Sequence, residues 1–132
     1  MLPTNAEIAR AYFEAFDRHD LVGAARFLAP DVEWDWDEQI LIDEEPIHGR
    51  EAVRQYWERI LATSPFAHEA HQFLEADDRV CVLANIRVQG AGSGVELTQP
   101  CGYALTLRGG AIIRSLYYFD QAQAREAVGV AD

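Results

Sequence analysis

An α+β domain, with helices laid over one face of a curved sheet, is the fold class this sequence predicts, and three observations predict it. Apolar residues recur at helical intervals through roughly the first 60 positions and then alternate with a period of two. Asp77-Asp78 and Gly109-Gly110 separate the alternating runs with residues that tight hairpin turns prefer. No internal repeat, linker or low-complexity segment divides the 132 residues, so a single domain over 1–132 is expected.

Thr4 and Glu7 stand at capping-box spacing, and Ile8, Ala11, Tyr12, Ala15 and Phe16 follow at helical intervals. A first helix over roughly residues 5–18 is predicted, with Tyr12 on its apolar face. Asp20 caps a short second helix carrying Leu21, Ala24, Ala25 and Leu28, which stops before Pro30 because a proline pushes its predecessor out of the helical region. In "DVEWDWDEQILIDEEP", residues 31–46, Val32, Trp34 and Trp36 alternate with Glu33, Asp35 and Asp37. That is a half-buried strand whose acids turn away from its tryptophans. Asp43, Glu44 and Glu45 belong to a loop suited to cover a cavity.

Gly49 precedes a third helix over roughly 50–62, with the apolar stripe Val53, Tyr56, Trp57, Ile60 and Leu61, and Pro65 ends it. Four strands near 67–75, 79–89, 95–108 and 111–119 form an antiparallel meander. "GAGSG" after Gln89 makes a longer connection, and the closing "DQAQAREAVGVAD" starts a short helix at Asp120.

Composition narrows the functions. The net charge is -11, and all 11 basic residues are arginine. Clustered cations that would neutralise phosphates or an anionic leaflet are missing, so neither nucleic acid nor a membrane surface is an expected partner. Without lysine, Schiff-base chemistry is excluded. Cys81 and Cys101 form no C-x-x-C pair and have no histidine at ligand spacing, so they are expected to be buried small hydrophobes, with no metal and no cofactor. The N-terminus has no basic region followed by an apolar stretch, and no apolar run approaches the roughly 20 residues that span a bilayer. A cytoplasmic location is the expectation.

Three segments in order, "IARAYFEAFDRHDLVGAARFLAPDVEW", "EPIHGREAVRQYW" and "GYALTLRGGAIIRSLYYFD", resemble the nuclear-transport-factor-2-like superfamily, and within it the SnoaL-like polyketide cyclases and ketosteroid isomerases. The resemblance runs from about residue 6 to about residue 120. It implies a cone-shaped, cystatin-like barrel: a curved antiparallel sheet with three helices from the N-terminal half packed over its concave face, and an apolar cavity between them. It also implies a homodimer joined through the sheet. "RAYFEAF" puts Tyr12 where the isomerases keep a first-helix oxyanion donor, Trp36 falls where their catalytic aspartate stands, and Tyr103 falls at their protonated aspartic acid. "IIRSLYYFD" puts Tyr117 where the cyclases carry their final-strand acid.

The candidate site follows from these positions. Tyr12 and Tyr103 would donate hydrogen bonds to an oxyanion, while His48, or Asp35 or Asp37 turned inward by a bulge, would move the proton. Phe16, Trp36, Tyr56, Tyr117 and Phe119 would wall the cavity. Strand parity adds Leu83, Asn85 and Arg87 from the central strand, because buried polar groups need partners or a ligand. The expected partner is a small hydrophobic molecule bearing a carbonyl or phenol, either converted by proton transfer as in an isomerase, cyclase or dehydratase, or held without turnover by a binding module.

Overall fold

The computed structural model describes residues 2–37, 45–89 and 96–130. The predicted loop acids Asp43 and Glu44 lie outside the described residues, as does the connection at 90–95. Four helices pack on a curved, unclosed, mixed sheet of six strands.

Helix α1 (Asn5–Asp17) begins with the predicted capping box: the Glu7 N–H donates to Thr4 Oγ1 and the Thr4 N–H to Glu7 Oε1. Asp20 caps the single turn α2 (Leu21–Ala25) by accepting from the Gly23 N–H. Leu28, expected in that helix, instead opens strand β1 (Leu28–Trp36). Pro30 brings no N–H to the ladder, and the register slips between Leu28 and Glu33. Arg50 Nε caps the Leu28 carbonyl there at 3.0 Å. A two-residue strand β2 (Ile47–His48) pairs antiparallel with β1 and leads through Gly49, at φ +99°, into α3 (Arg50–Thr63).

Strands β3 (Phe66–Ala76), β4 (Arg79–Gln89), β5 (Glu96–Arg108) and β6 (Ala111–Tyr118) form the predicted antiparallel meander. The sheet order is β2-β1-β6-β5-β4-β3, and β1 joins β6 in parallel, so the sheet is mixed rather than wholly antiparallel. The chain can reach that parallel place because β2, α3 and the first three strands of the meander intervene between β1 and β6.

Helices α1 and α3 cover one face of the sheet, where Val80, Val82, Ala84, Cys101, Tyr103 and Leu105 join the larger core. The fourth helix, α4 (Gln121–Val128), capped by Asp120, covers the other face and closes on Cys81, Leu83 and Tyr118. Both alternations of β4 are therefore buried over its first half. That is why parity alone misassigned the strand: Leu83 lies under α4 and not opposite Tyr12.

Candidate functional site

Between α1, α3 and the sheet lies a hollow of about 520 Å³. Its walls are aromatic on every side. Helix α1 contributes Tyr12, Phe13 and Phe16, one helical face one turn apart; β1 contributes Trp34 and Trp36; α3 contributes Tyr56, Trp57 and Ile60. Phe66 and His68 come from β3, Ile86 from β4, Tyr103 from β5, Tyr117 from β6, and Phe119 from just past the end of β6. The rings meet mostly edge to face, as at Trp34 and Trp36 (centroids 5.2 Å apart) and Tyr103 and Tyr117 (5.1 Å), the arrangement their quadrupoles favour. Rings braced in this way cannot interdigitate into the space they surround.

Among the few polar groups at the hollow, Asp17, His68 and Tyr103 form one chain. His68 Nδ1 lies 3.0 Å from Asp17 Oδ1, and His68 Nε2 lies 2.7 Å from the Tyr103 hydroxyl. Asp17 Oδ1 also accepts the backbone N–H of His68 at 2.9 Å, so the last turn of α1 is tied to β3 at this residue. The His68 side chain is 3% exposed, whereas Asp17 is 21% exposed and opens onto an outer groove with Arg10, Glu14 and Arg18. Because Asp17 Oδ1 is an acceptor for the backbone as well, the ring nitrogen facing it carries the hydrogen. A neutral His68 is then bare at Nε2 and accepts the Tyr103 O–H.

Burial pushes the Tyr103 phenol well above its ordinary pKa, with Cys101, Tyr117, Tyr12 and Asp17 adding to the rise. Burial likewise raises Tyr12, which the neighbouring Trp34 partly offsets, and raises Tyr117. The three phenols therefore remain neutral donors at any physiological pH. Cys101, behind Tyr117, is pushed up to about 12, chiefly by burial. The Trp34 indole N–H is buried with no hydrogen-bond partner.

Of the residues singled out in the sequence, Tyr12, Phe16, Trp36, Tyr56, Tyr103, Tyr117 and Phe119 come together around this hollow. The others do not. Asp35 keeps the strand parity opposite to Trp34 and Trp36, and its Oδ1 accepts the Trp36 backbone N–H at 2.7 Å. Asp37 shares that parity and stands near Tyr118, on the α4 side. No bulge turns either acid inward, because the register slip in β1 falls before Glu33.

His48 is exposed and paired with Glu33, on the side away from Ile47 and Trp34. Asn85 is half-buried on the same side of β4 as Leu83, and Arg87 is ion-paired with Glu69 at the edge strand. Both sit on the outer face, so the polar pair of β4 lies outside the hollow.

Asp17 and His68 are the hydrogen-bonded pair beside the hollow that sequence reasoning missed. The available signal was the alternation of Phe66 with His68, set in register by the pairing of His68 with Ile86.

The SnoaL-like domain profile matches residues 9–115. No curated protein matches the chain. Solved structures do. A protein of unknown function with the nuclear-transport-factor-2-like fold from Burkholderia pseudomallei is 25% identical, with a TM-score of 0.77 over 96% of this chain and 98% of that one. TerC, crystallised with polyporic acid, is 23% identical, with a TM-score of 0.77 over 95% of this chain and 98% of that one. A protein with a ketosteroid isomerase-like fold from Catenulispora acidiphila, in complex with trimethylamine, is 19% identical, with a TM-score of 0.76 over 97% and 96%. Among the described residues, no helix is long and apolar enough to cross a membrane.

Proposed function

This chain belongs to the SnoaL-like domain family, and from that premise we propose that its hollow takes up a flat, hydrophobic carbonyl compound and moves a proton on it, in an isomerisation, cyclisation or dehydration. The observation that carries the reading is the chain of contacts Asp17–His68–Tyr103, which ends in a hydroxyl at the wall of the hollow. It supplies the acid/base group that the phenols alone lack.

His68 is the proton store, Asp17 holds its tautomer, and Tyr103 carries the proton between ring and substrate. As a carbon next to the carbonyl gives its proton to the Tyr103 oxygen, Tyr103 passes its own to Nε2. The substrate becomes an enolate, and His68 becomes an imidazolium paired with Asp17. Return of the proton at another atom of the substrate restores both residues. One proton has moved and no electrons are transferred. Tyr12, neutral because it is buried, donates to the enolate oxygen. Acid/base groups so placed contribute about 10²–10⁴-fold in rate.

Exchange of the α-protons of β-tetralone into heavy water, followed by proton NMR, tests this. The protein should accelerate exchange, and His68→Gln and Tyr103→Phe should each lower the acceleration by about 10²-fold or more. Exchange no faster than in buffer would remove the catalytic reading. The second reading, a binding module without turnover, is favoured by a wall in which, among the described residues, no carboxylate takes part. Polyporic acid, present in the TerC crystals, is the first compound to try for binding.

A further inference from the structure

We propose that His68 selects the class of ligand the hollow accepts: donors such as phenols and enols when the imidazole is neutral, and carbonyls or anionic oxygens when it is protonated. This rests on the same site as the proposed function but concerns recognition rather than turnover.

The argument is a count of hydrogens. The Tyr103 hydroxyl has one hydrogen and two lone pairs. His68 Nδ1 is committed to Asp17 in either state, since Asp17 Oδ1 receives both that ring nitrogen and the backbone N–H. When His68 is neutral, bare Nε2, 2.7 Å from the hydroxyl, takes the Tyr103 hydrogen. What Tyr103 then presents to the hollow is a lone pair, which a phenol or enol satisfies; a ketone oxygen gains nothing from Tyr103 in this state and is left to the Tyr12 donor. When His68 is protonated, Nε2–H donates to the Tyr103 oxygen instead. The Tyr103 hydrogen swings free toward the hollow, where it satisfies a carbonyl and opposes another donor. One proton on a ring that is almost wholly buried thereby reverses the polarity of a contact made by its neighbour.

The other ionisable groups around His68 do not blur this reversal. From α1 come Asp17, Tyr12 and, in the outer groove, Arg10, Glu14 and Arg18. Strand β5 supplies Tyr103 and Cys101, and β6 supplies Tyr117. On β3 itself, Glu69 is exposed and paired with Arg87 of β4. Burial raises the three phenols and the Cys101 thiol, so none of them gains or loses a proton between pH 5 and pH 9. His68 also borders the groove that holds Arg10, Glu14 and Arg18, but none of those three lines the hollow.

The test uses α-tetralone and α-naphthol, fused two-ring molecules of similar outline, one offering only an acceptor and the other a hydroxyl. Titration of the His68 ring carbon-bound protons by NMR fixes a pH on either side of its transition, and calorimetry gives both affinities at each. As His68 loses its proton, α-naphthol should bind about tenfold tighter and α-tetralone about tenfold weaker, each change the size of one hydrogen bond. In Tyr103→Phe the ratio of the two affinities should no longer depend on pH. His68→Gln, checked for folding by circular dichroism, should give a single pH-independent ratio.

A wild-type ratio that stays constant across the His68 titration overturns the proposal. So does a ring that does not titrate between pH 5 and pH 9, or failure of both probes to bind. Because no turnover is read, the crossing can hold while β-tetralone exchange fails, and the reverse.

Discussion

The two faces of this sheet solve opposite problems with adjacent residues of the same strands. Under α4, Gly102 meets Ala124, and the helix comes so close that a Cβ on Gly102 would stand 2.6 Å from that of Ala124. One residue along β5, Tyr103 points the other way, into a ring-walled space of about 520 Å³. Close packing needs residues that interdigitate, and Cys81, Leu83, Gly102 and Ala124 do so. Large rings that brace one another edge-on hold the sheet and helices apart. The face that closes supports the face that stays open, since α4 pins β4, β5 and β6 from behind.

The largest test of this contrast is in base. Cys101, on the hollow side, is raised from an ordinary thiol value of 9.0 to about 12, and Cys81, on the α4 side, to about 11. A group whose folded pKa is raised stabilises fully below its unfolded value and loses that contribution as the pH climbs through its folded one. Stability should therefore be flat up to about pH 9 and collapse cooperatively between pH 9 and pH 12, with Tyr12, Tyr103 and Tyr117 ionising only on unfolding. Ultraviolet absorbance of phenolate recorded alongside circular dichroism checks this, and early, uncoupled ionisation of all five tyrosines would break it.

Next comes Leu83→Ala, which should cost about 3 kcal/mol in urea unfolding because its site is filled and cannot relax into a pre-existing space. Gly102→Ala should cost about 2 kcal/mol, since the backbone of α4 must move away. The smallest effect on stability is expected at the hollow's rim: Phe119, 49% exposed, should lose less than about 0.5 kcal/mol on replacement by alanine. It should nonetheless weaken binding of α-naphthol.

The helices and strands were legible because their signals are local. Thr4 with Glu7, Asp20 before Leu21 and the Trp34–Trp36 alternation each specify an element within a few residues. The aromatic wall was legible for the same reason, and Tyr12, Tyr56, Tyr103 and Tyr117 do converge. The pair on which the proposed proton transfer rests was not. Asp17 and His68 are 51 positions apart and meet only when α1 lies across β3.

Two features hid them. The register shift between Ala70 and Gln72 moves the inward set of β3 from Phe66 and His68 to Phe73, so simple alternation does not run through the strand. On β4, apolar residues on both faces left Asn85 and Arg87 as the apparent clue, although they point outward.

Asp17 Oδ1 receives both the ring and the main chain of His68. That double grip turns an imidazole into a fixed stud joining a helix end to a strand. A bulky guest cannot swing the ring aside without breaking its tie to α1, so tolerance for larger molecules should come from the rim at Phe119, whose ring is 49% exposed. One side of the hollow is thus tied through Asp17 and the other ends in a half-exposed ring, and differences in the size of guest accepted should map to the second.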